Sequence, residues 1–488
     1  MEESLSEEIP IAGQPHIGAL PTELIAQIFL EVVEGRLNVD LKLSWWNPRS
    51  DPQWTLARVC GAWRDVALST PLLWRSLHIR HSFAPYDSVP VARLRRVLKL
   101  QLDRAVGAPL HVSFSSPYDE DFDARRRAQR AVIVNALFAA THRWETADLS
   151  VAENEMRILH NLPSDDPFPL LRVLKLTHNK WTASERELDI LSIFQSNHNA
   201  PPNLRHVGYS GGYRGFSFNL LLQHLRSPSF PWAQITSLSL RTVLASTATV
   251  ARGLELLRPA GPALQALNLA EYQLHDLDDI STENLDDLIF DQLRSLTFSN
   301  GNDSILRYIR APRLESFELS DSSGIPRDTT SADIMAFVSH APQLVQLRLH
   351  GVKMSPASLL EILAGIPALQ KLVVENLYNY LPVEVVTALA LQPEARAARQ
   401  EPSEAGSDSN HQVPSSSKFH PLVPQLQHLE LAGFEKIGLS STEAFVSLVR
   451  SRVNKGLRRV KFYGSGLPYN LDDELRNEGF GFLLYVTI

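Results

Sequence analysis

Residues 342–375, PQLVQLRLHGVKMSPASLLEILAGIPALQKLVVE, decide the fold. At each end a leucine is followed by two residues, an apolar residue, one residue and another apolar residue: LVQLRL from 344 and LQKLVV from 369. That alternation predicts a strand with one face buried. Between them, SPASLLEILAGIP predicts a helix, with Ser355 as N-cap and Pro356 at the first helical position. Leu359, Leu360 and Leu363 face inward, Gly365 stands near the end and Pro367 lies beyond it. Strand, helix and strand thus follow one another within about 30 residues, a period that belongs to stacked-repeat architectures.

Outward from this unit the strand pattern recurs as LRVLKL at 171, LRHVGY at 204, ITSLSL at 235, LQALNL at 264, LRSLTF at 293, LESFEL at 314, LQHLEL at 426 and LRRVKF at 457. Weaker copies stand at WRSLHI 74–79, LHVSF 110–114 and WETADL 144–149. STATVARGLELLRP and SADIMAFVSHAP read as further helices. Proline sits ahead of strand after strand, at Pro202, Pro231, Pro262, Pro312, Pro342, Pro367 and Pro424, where it stops a helix and starts an extended segment. The chain from 171 to 488 resembles the leucine-rich-repeat family. The resemblance implies an α/β fold, a strand/helix solenoid or horseshoe with a parallel sheet. The family's asparagine after the last apolar position is present only at Asn179, so the curvature is not carried over.

Within each strand the apolar side chains point into the solenoid, so the residues alternating with them line the exposed concave face. On this geometry the candidate target-binding residues are Lys175, Arg241, Asn268, Glu318, Arg348, His350, Glu375, Glu430, Arg459, Lys461 and Tyr463. The middle of the face is small and uncharged, through Asn268, Thr297 and Ser299, and Arg348, Arg459 and Lys461 make its later part more basic. A face that is merely solvated, or covered by the chain's own loops, fits the same composition.

The first 80 residues read differently. LPTELIAQIFL, residues 20–30, places Leu24, Ile25, Ile28 and Phe29 along one side of a helix, with Pro21 suited to its first turn. WTLARVCGAWRDVAL, from Trp54, reads as a second helical segment that ends at Thr70 and Pro71, before LWRSL at 73–77. Taken alone these could be a small helical core. In order, LPTELIAQIF, VCGAWRDVA and TPLLWRSLHI resemble the F-box, in the form common in mushroom-forming fungi. The match covers about residues 17–79. It implies three short helices that insert apolar side chains into a Skp-type adaptor, itself bound to a cullin, with Leu20, Pro21, Leu24, Ile28, Phe29, Val59, Cys60 and Trp63 as the adaptor-binding residues. Two departures stand out: an insertion over 31–53, whose Trp45 and Trp46 are a packed flap or an extra contact, and Gly61 where the family often has a polar or basic residue. The expected organisation is a disordered 1–16, the F-box-like domain at 17–79, a connecting region with weak repeats at 80–170, and the repeat domain at 171–488.

Composition narrows the function classes. A net charge of -7 supplies no electrostatic reason for a nucleic-acid partner. One cysteine, Cys60, excludes a disulfide framework and a cysteine-rich zinc site, and reads as a small apolar packing residue. The acidic start MEESLSEEIP does not resemble a signal peptide, and no apolar run approaches the ~18 residues of a membrane span, which predicts a cytoplasmic or nuclear protein without a membrane partner.

Catalytic motifs are sparse. GYSGG at 208–212 matches G-x-S-x-G, but Ser210 ends a repeat strand and no acid and histidine identify themselves as its partners. DEDFD at 119–123 and DLDDI at 276–280 lack the glycine and terminal glutamate of a calcium loop, and RRRAQR at 125–130 reads as the exposed face of an amphipathic helix. No cofactor or metal is expected, and no enzyme activity. The implied function is a substrate receptor of an SCF-type ubiquitin ligase with an unknown protein target; the alternative is a repeat-based scaffold without a ligase role.

The longest separation between copies, from 369 to 426, contains QPEARAARQEPSEAGSDSNHQVPSSSKFH, residues 392–420. It is too poor in apolar residues to offset its own ordering entropy and is expected to be a disordered insertion. Because loop-closure cost rises slowly with length, shortening it should change stability by about 1 kcal/mol or less. Urea unfolding of the deletion variant measures this; a variant that does not fold would show that the segment packs.

Overall fold

The computed structural model describes residues 20–37, 51–80, 90–115, 124–151, 158–159, 168–178, 201–211, 230–242, 257–271, 287–299, 303–321, 331–352, 354–376, 382–390, 422–434, 439–453, 455–464 and 484–487. The expected disordered N-terminus, Trp45, Trp46, the two acidic stretches, Asn179, most of STATVARGLELLRP and the insertion at 392–420 lie outside these residues. The chain divides into two compact units, Met1–Leu204 and Arg205–Ile488.

The first unit opens with α1 (Thr22–Leu37), α2 (Pro52–Leu56) and α3 (Gly61–Leu68), followed by a 3-10 turn at Pro71–Trp74. The carbonyl of Pro21 accepts from the amides of Leu24 and Ile25, starting α1. Both ends of the expected insertion are helical: residues 31–37 continue α1, and Pro52 and Gln53 open α2. The single helix expected over 54–68 is broken, because Cys60 is extended (φ -154, ψ 176) and caps α3, its Sγ accepting from the Trp63 amide at 3.5 Å. Cys60 is exposed and acts as a cap rather than as core packing.

The core of this helical module is aromatic. Phe29 lies against Trp63 with ring centroids 4.9 Å apart, and Trp54 meets Trp74 edge-on at 5.0 Å. The indole N–H of Trp74 donates to the Ala67 carbonyl at 2.7 Å, satisfying the one polar atom of a fully buried ring. Helix α4 (Val91–Arg104) sends the Arg104 guanidinium over both indoles, 4.6 Å from Trp54 and 4.4 Å from Trp74, so a cation–π contact ties α4 to the module. Burial lowers the pKa of this guanidinium.

Four parallel strands complete the unit in chain order: β1 (Ser76–Arg80), β2 (Leu110–Ser115), β3 (Trp144–Val151) and β4 (Val173–His178), with α5 (Ala124–Phe138) between β2 and β3. Leu77, Val112, Ala147 and Leu174 occupy one rung, and Ile79, Phe114, Leu149 and Leu176 another. The three weaker copies of the pattern are therefore strands in register with the first strong one. The repeat strands begin at Ser76, and the strands described between 80 and 170 belong to the same series.

The second unit is an α/β stack on a long parallel sheet. Its strands are β5 (His206–Gly211), β6 (Ser237–Thr242), β7 (Ala266–Glu271), β9 (Ser295–Ser299), β11 (Ser316–Ser320), β12 (Gln346–His350), β13 (Lys371–Glu375), β14 (His428–Phe434), β15 (Arg459–Gly464) and β16 (Leu484–Thr487). β8 (Leu288–Ile289) and β10 (Ile309–Arg310) pair separately. Leu238, Leu267, Leu296, Phe317, Leu347, Leu372, Leu429 and Val460 form one unbroken buried rung. The leading leucine of each copy is buried as well, from Leu264 through Leu457.

The prolines ahead of the strands have a more specific role than stopping helices. Leu314, Leu344, Leu369 and Leu426 each donate their amide to the carbonyl three residues back, at Ala311, Ala341, Ile366 and Val423. Pro312, Pro342, Pro367 and Pro424 thus sit at the second position of a β-turn, where their fixed φ suits the chain. Between strands lie α6 (Ser331–Val338), α7 (Pro356–Ala364), α8 (Val383–Leu389) and α9 (Leu439–Val453). Ser355 caps α7 as expected, accepting from the Ser358 amide at 3.0 Å, but the inward residues are Leu359, Ile362 and Leu363, with Leu360 only half-buried. Between β9 and β11 a 3-10 turn at Asp303–Tyr308 replaces the helix, which explains the shortest repeat. Gly351 (φ +67) is required where β12 ends, because a Cβ there would meet the Asp321 carbonyl oxygen at 2.1 Å.

One buried charge organises the chain on either side of 391–421. Arg452 of α9, 1% exposed, donates to the carbonyls of Leu389, Val423 (2.8 Å) and Leu422 (2.5 Å). Residues 389 and 422–423 are thereby held to one guanidinium. Burial pushes its pKa down to about 10, which leaves it charged at neutral pH. Arg452→Met keeps the volume and removes the donors, so it should cost about 3 kcal/mol from the unpaired carbonyls. Urea unfolding tests this, and an unchanged midpoint would mean that the carbonyls find other donors.

Candidate functional site

Two surfaces stand out from the core, and each arises from the periodicity of its element. On α1, Ile25, Phe29 and Val33 are buried at intervals of four residues, while Leu24, Ile28 and Val32, one position earlier in each turn, face solvent at 52%, 39% and 41% exposure. Leu20 continues the outer stripe, and Val59, Leu68 and Leu72 are exposed apolar residues on the following elements of the module. Helical neighbours one residue apart point about 100° apart, so one helix carries two apolar stripes, of which only one is needed inside.

Of the eight residues expected on this surface, Leu20, Pro21, Leu24, Ile28, Val59 and Cys60 are exposed, and Trp63 is half-buried. Phe29 is fully buried against Trp63 and belongs to the module's own core.

The second surface is the open face of the sheet. Register places its residues in rows across the strands. One row runs Ser239, Asn268, Thr297, Glu318, Arg348, Val373, Glu430 and Lys461. The next runs Arg241, Ala270, Ser299, Ser320, His350, Glu375, Ala432 and Tyr463. Most of the expected target-binding residues are therefore neighbours. Lys175 belongs to the first unit, where it is exposed with Asp148 as its register partner.

The charges in these two rows are largely spent on one another. Arg348 lies 2.8 Å from Glu375 and 3.9 Å from Glu318, and His350 Nδ1 is 3.0 Å from the other Glu375 oxygen. Lys461 is 3.4 Å from Glu430. Val373, only 1% exposed, interrupts the charged row between Arg348 and Glu430. In the uncharged middle the hydroxyl of Ser320 donates to that of Ser299 at 2.7 Å. Arg348 and Lys461, read from sequence as a basic region, are neutralised by their cross-strand neighbours.

The remaining row differs. Gln346, Lys371, His428 and Arg459 are register partners on β12 to β15, and among the described residues Lys371, His428 and Arg459 have no carboxylate within ion-pair distance. Arg458 adds a further cation. Burial, and then the charges of Arg459, Lys371 and Arg458, lower the pKa of His428. Sequence reasoning missed Lys371 and His428. The signal was available, since they occupy the same position of L-x-x-L as Arg459, in LQKL, LQHL and LRRV.

Ser210 lies within β5 and pairs in register with Arg241. Among the described residues no group of three or more His, Cys, Asp or Glu side chains could hold a metal ion, and no helix is long and apolar enough to cross a membrane.

No family model matches the sequence, and no curated protein matches it. A solved structure described as the crystal structure of a TLR13–ssRNA13 complex matches with a TM-score of 0.32 and 9% identity, over 75% of this chain and 48% of that one. This chain thus spans about half the length of the chain it matches.

His428 supplies a measurable test of the site's electrostatics. Its proton should titrate below the range of a free histidine, and Lys371→Gln with Arg459→Gln should move it part of the way back. Between the two values the unfolded chain holds the proton and the folded chain does not, so His428 favours folding above its ordinary pKa and that contribution falls as pH drops through the window. NMR titration of the ring checks this; a His428 that titrates like a free histidine would remove the effect.

Proposed function

We propose that this chain is the non-catalytic substrate-recognition subunit of an SCF-type E3 ubiquitin ligase, docking a Skp-type adaptor, and through it a cullin, by its N-terminal helical module. The observation that carries the reading is the outer stripe of α1. Leu20, Leu24, Ile28 and Val32 lie outside a core that Ile25, Phe29 and Val33 already fill. A contiguous apolar stripe left in water marks an interaction surface. The sequence order LPTELIAQIF, VCGAWRDVA and TPLLWRSLHI, with its F-box resemblance, supports the adaptor as the occupant.

The sheet face supplies the other half of the reading. It presents several rows of polar side chains on a rigid backbone, which suits capture of a protein target. The subunit itself catalyses nothing. Holding the target beside a ubiquitin-conjugating enzyme makes lysine attack effectively intramolecular, and that gain in effective concentration is the whole of its contribution. The second reading, a repeat-based interaction scaffold without a ligase role, rests on the same sheet face and assigns the stripe on α1 to another partner.

Leu24→Glu combined with Ile28→Glu separates the two. Apolar anchors at an interface centre each cost about 2 kcal/mol or more on truncation, so two buried carboxylates should abolish co-purification of the Skp-type adaptor, with the circular dichroism unchanged. Phe29→Ala is the contrasting control, expected to lose about 3–5 kcal/mol of stability from a core cavity. Undiminished adaptor capture by the double variant would remove the ligase reading.

A further inference from the structure

The three rows of the second unit's sheet face carry different electrostatics. Two hold ion pairs; the third holds Lys371, His428 and Arg459 on successive strands, with Arg458 beside them. Lys371 and Arg459 flank His428 from its two neighbouring strands, so a protonated ring there would face like charges directly opposite it. Nothing in the packing of the sheet needs them, because these side chains are half-buried or exposed on the open face while the core lies on the other side. Arg348 and Lys461 are paired with carboxylates, whereas among the described residues this row has none.

We propose that the row Lys371–His428–Arg459 is where the sheet face grips an acidic segment of a target protein, through two carboxylates spaced two or three residues apart. The proposal deepens the target-binding half of the reading above and rests on the sheet face being the target surface; it makes no use of the adaptor. Neighbouring strands lie about 4.8 Å apart, so the row spans roughly 10 Å, and an extended peptide at about 3.3 Å per residue covers that distance in three residues.

The neighbouring rows select the class of partner. Glu430 and Glu375 lie two or four residues further along the strands that carry His428 and Lys371. A continuous polyanion such as a nucleic acid would meet these carboxylates as well as the cations, and would approach a chain of net charge -7. A short acidic segment crossing only the basic row avoids both.

His428 makes the grip pH-sensitive. The groups that face it are Lys371 from the preceding strand, Arg459 and Arg458 from the following one, and, along its own strand, Glu430, which is paired with Lys461. In the free protein the cations and partial burial favour the neutral ring. Carboxylates seated on Lys371 and Arg459 cancel that repulsion, so the ring takes up a proton on binding, and affinity rises as pH falls through the interval between the lowered pKa of the free ring and the higher one of the bound ring.

The test uses the full-length chain without adaptor and three fluorescent probes: a peptide of alternating glutamate and serine, one of alternating lysine and serine, and a single-stranded oligonucleotide. The acidic peptide should bind saturably and more tightly at the lower pH. Lys371→Glu with Arg459→Glu should weaken it about tenfold or more, the corresponding glutamine pair less, and Lys175→Glu in the first unit not at all. The glutamine pair, which leaves no new charge on the face, covers the case in which the glutamate pair fails to fold. The proposal is overturned if the row variants bind the acidic peptide as the parent does, if Lys175→Glu weakens it equally, or if the oligonucleotide binds more tightly through the same residues. Adaptor capture is scored separately: adaptor bound without peptide sinks this inference alone, and peptide bound without adaptor sinks only the ligase reading.

Discussion

In a parallel stack each strand forms slanted hydrogen bonds to both neighbours, so the register set at one rung is passed to the next. From Ser237 to Arg459 no shift interrupts that transmission among the described residues, and the irregularity between Ala432 and Phe434 comes after the apolar rungs have passed. Side chains alternate between the two faces, so a one-residue slip at any strand would turn its leucines outward and its charges inward. The leucine pattern therefore fixes more than a core. It fixes which polar residue stands beside which on the other face, across units about 30 residues apart in sequence.

The surface chemistry follows from that placement. Glu375 accepts from both Arg348 and His350 because all three are on adjacent strands at adjacent rungs. Such partly exposed pairs contribute little to stability, about 1 kcal/mol or less each. Their consequence is for recognition: a cation already matched by a cross-strand carboxylate has little field left to offer a partner. What distinguishes one part of the face from another is thus the pairing of its charges rather than their number, and pairing is a property of the register.

This also explains what could be read from the sequence. The strands, their buried positions and the caps of α7 were legible because a period of two and an N-cap serine are local signals. Even the weak copies at 74–79, 110–114 and 144–149 fall on strands, Ser76–Arg80, Leu110–Ser115 and Trp144–Val151. The neutralisation of Arg348 and Lys461 was not legible, since it needs the alignment of LVQLRL with LQKLVV and of LQHLEL with LRRVKF side by side. The break between α2 and α3 was hidden for another reason: WTLARVCGAWRDVAL is apolar enough throughout for one helix, and the interruption comes from a backbone choice at Cys60 that no hydrophobic period records. Arg452 was likewise invisible, a basic residue near a helix end whose three acceptors lie at Leu389, Leu422 and Val423.

Helix α1 poses the opposite problem, too many apolar residues for the core available to it. Leu24, Ile25, Ile28 and Phe29 look equivalent in sequence, and the periodicity alone assigns them to a single side. Packing separates them. Trp63 takes Phe29, and the indoles of Trp54 and Trp74 complete an interior that leaves Leu24 and Ile28 outside. Covering what remains exposed of each leucine or isoleucine would add about 1 kcal/mol. A soluble helix normally spends such positions on polar residues, as the outer side of α4 does with Arg93, Arg96 and Lys99. The retention of leucine, isoleucine and valine at three successive turns of α1 is thus the physical feature on which the proposed docking rests, apart from any resemblance in sequence.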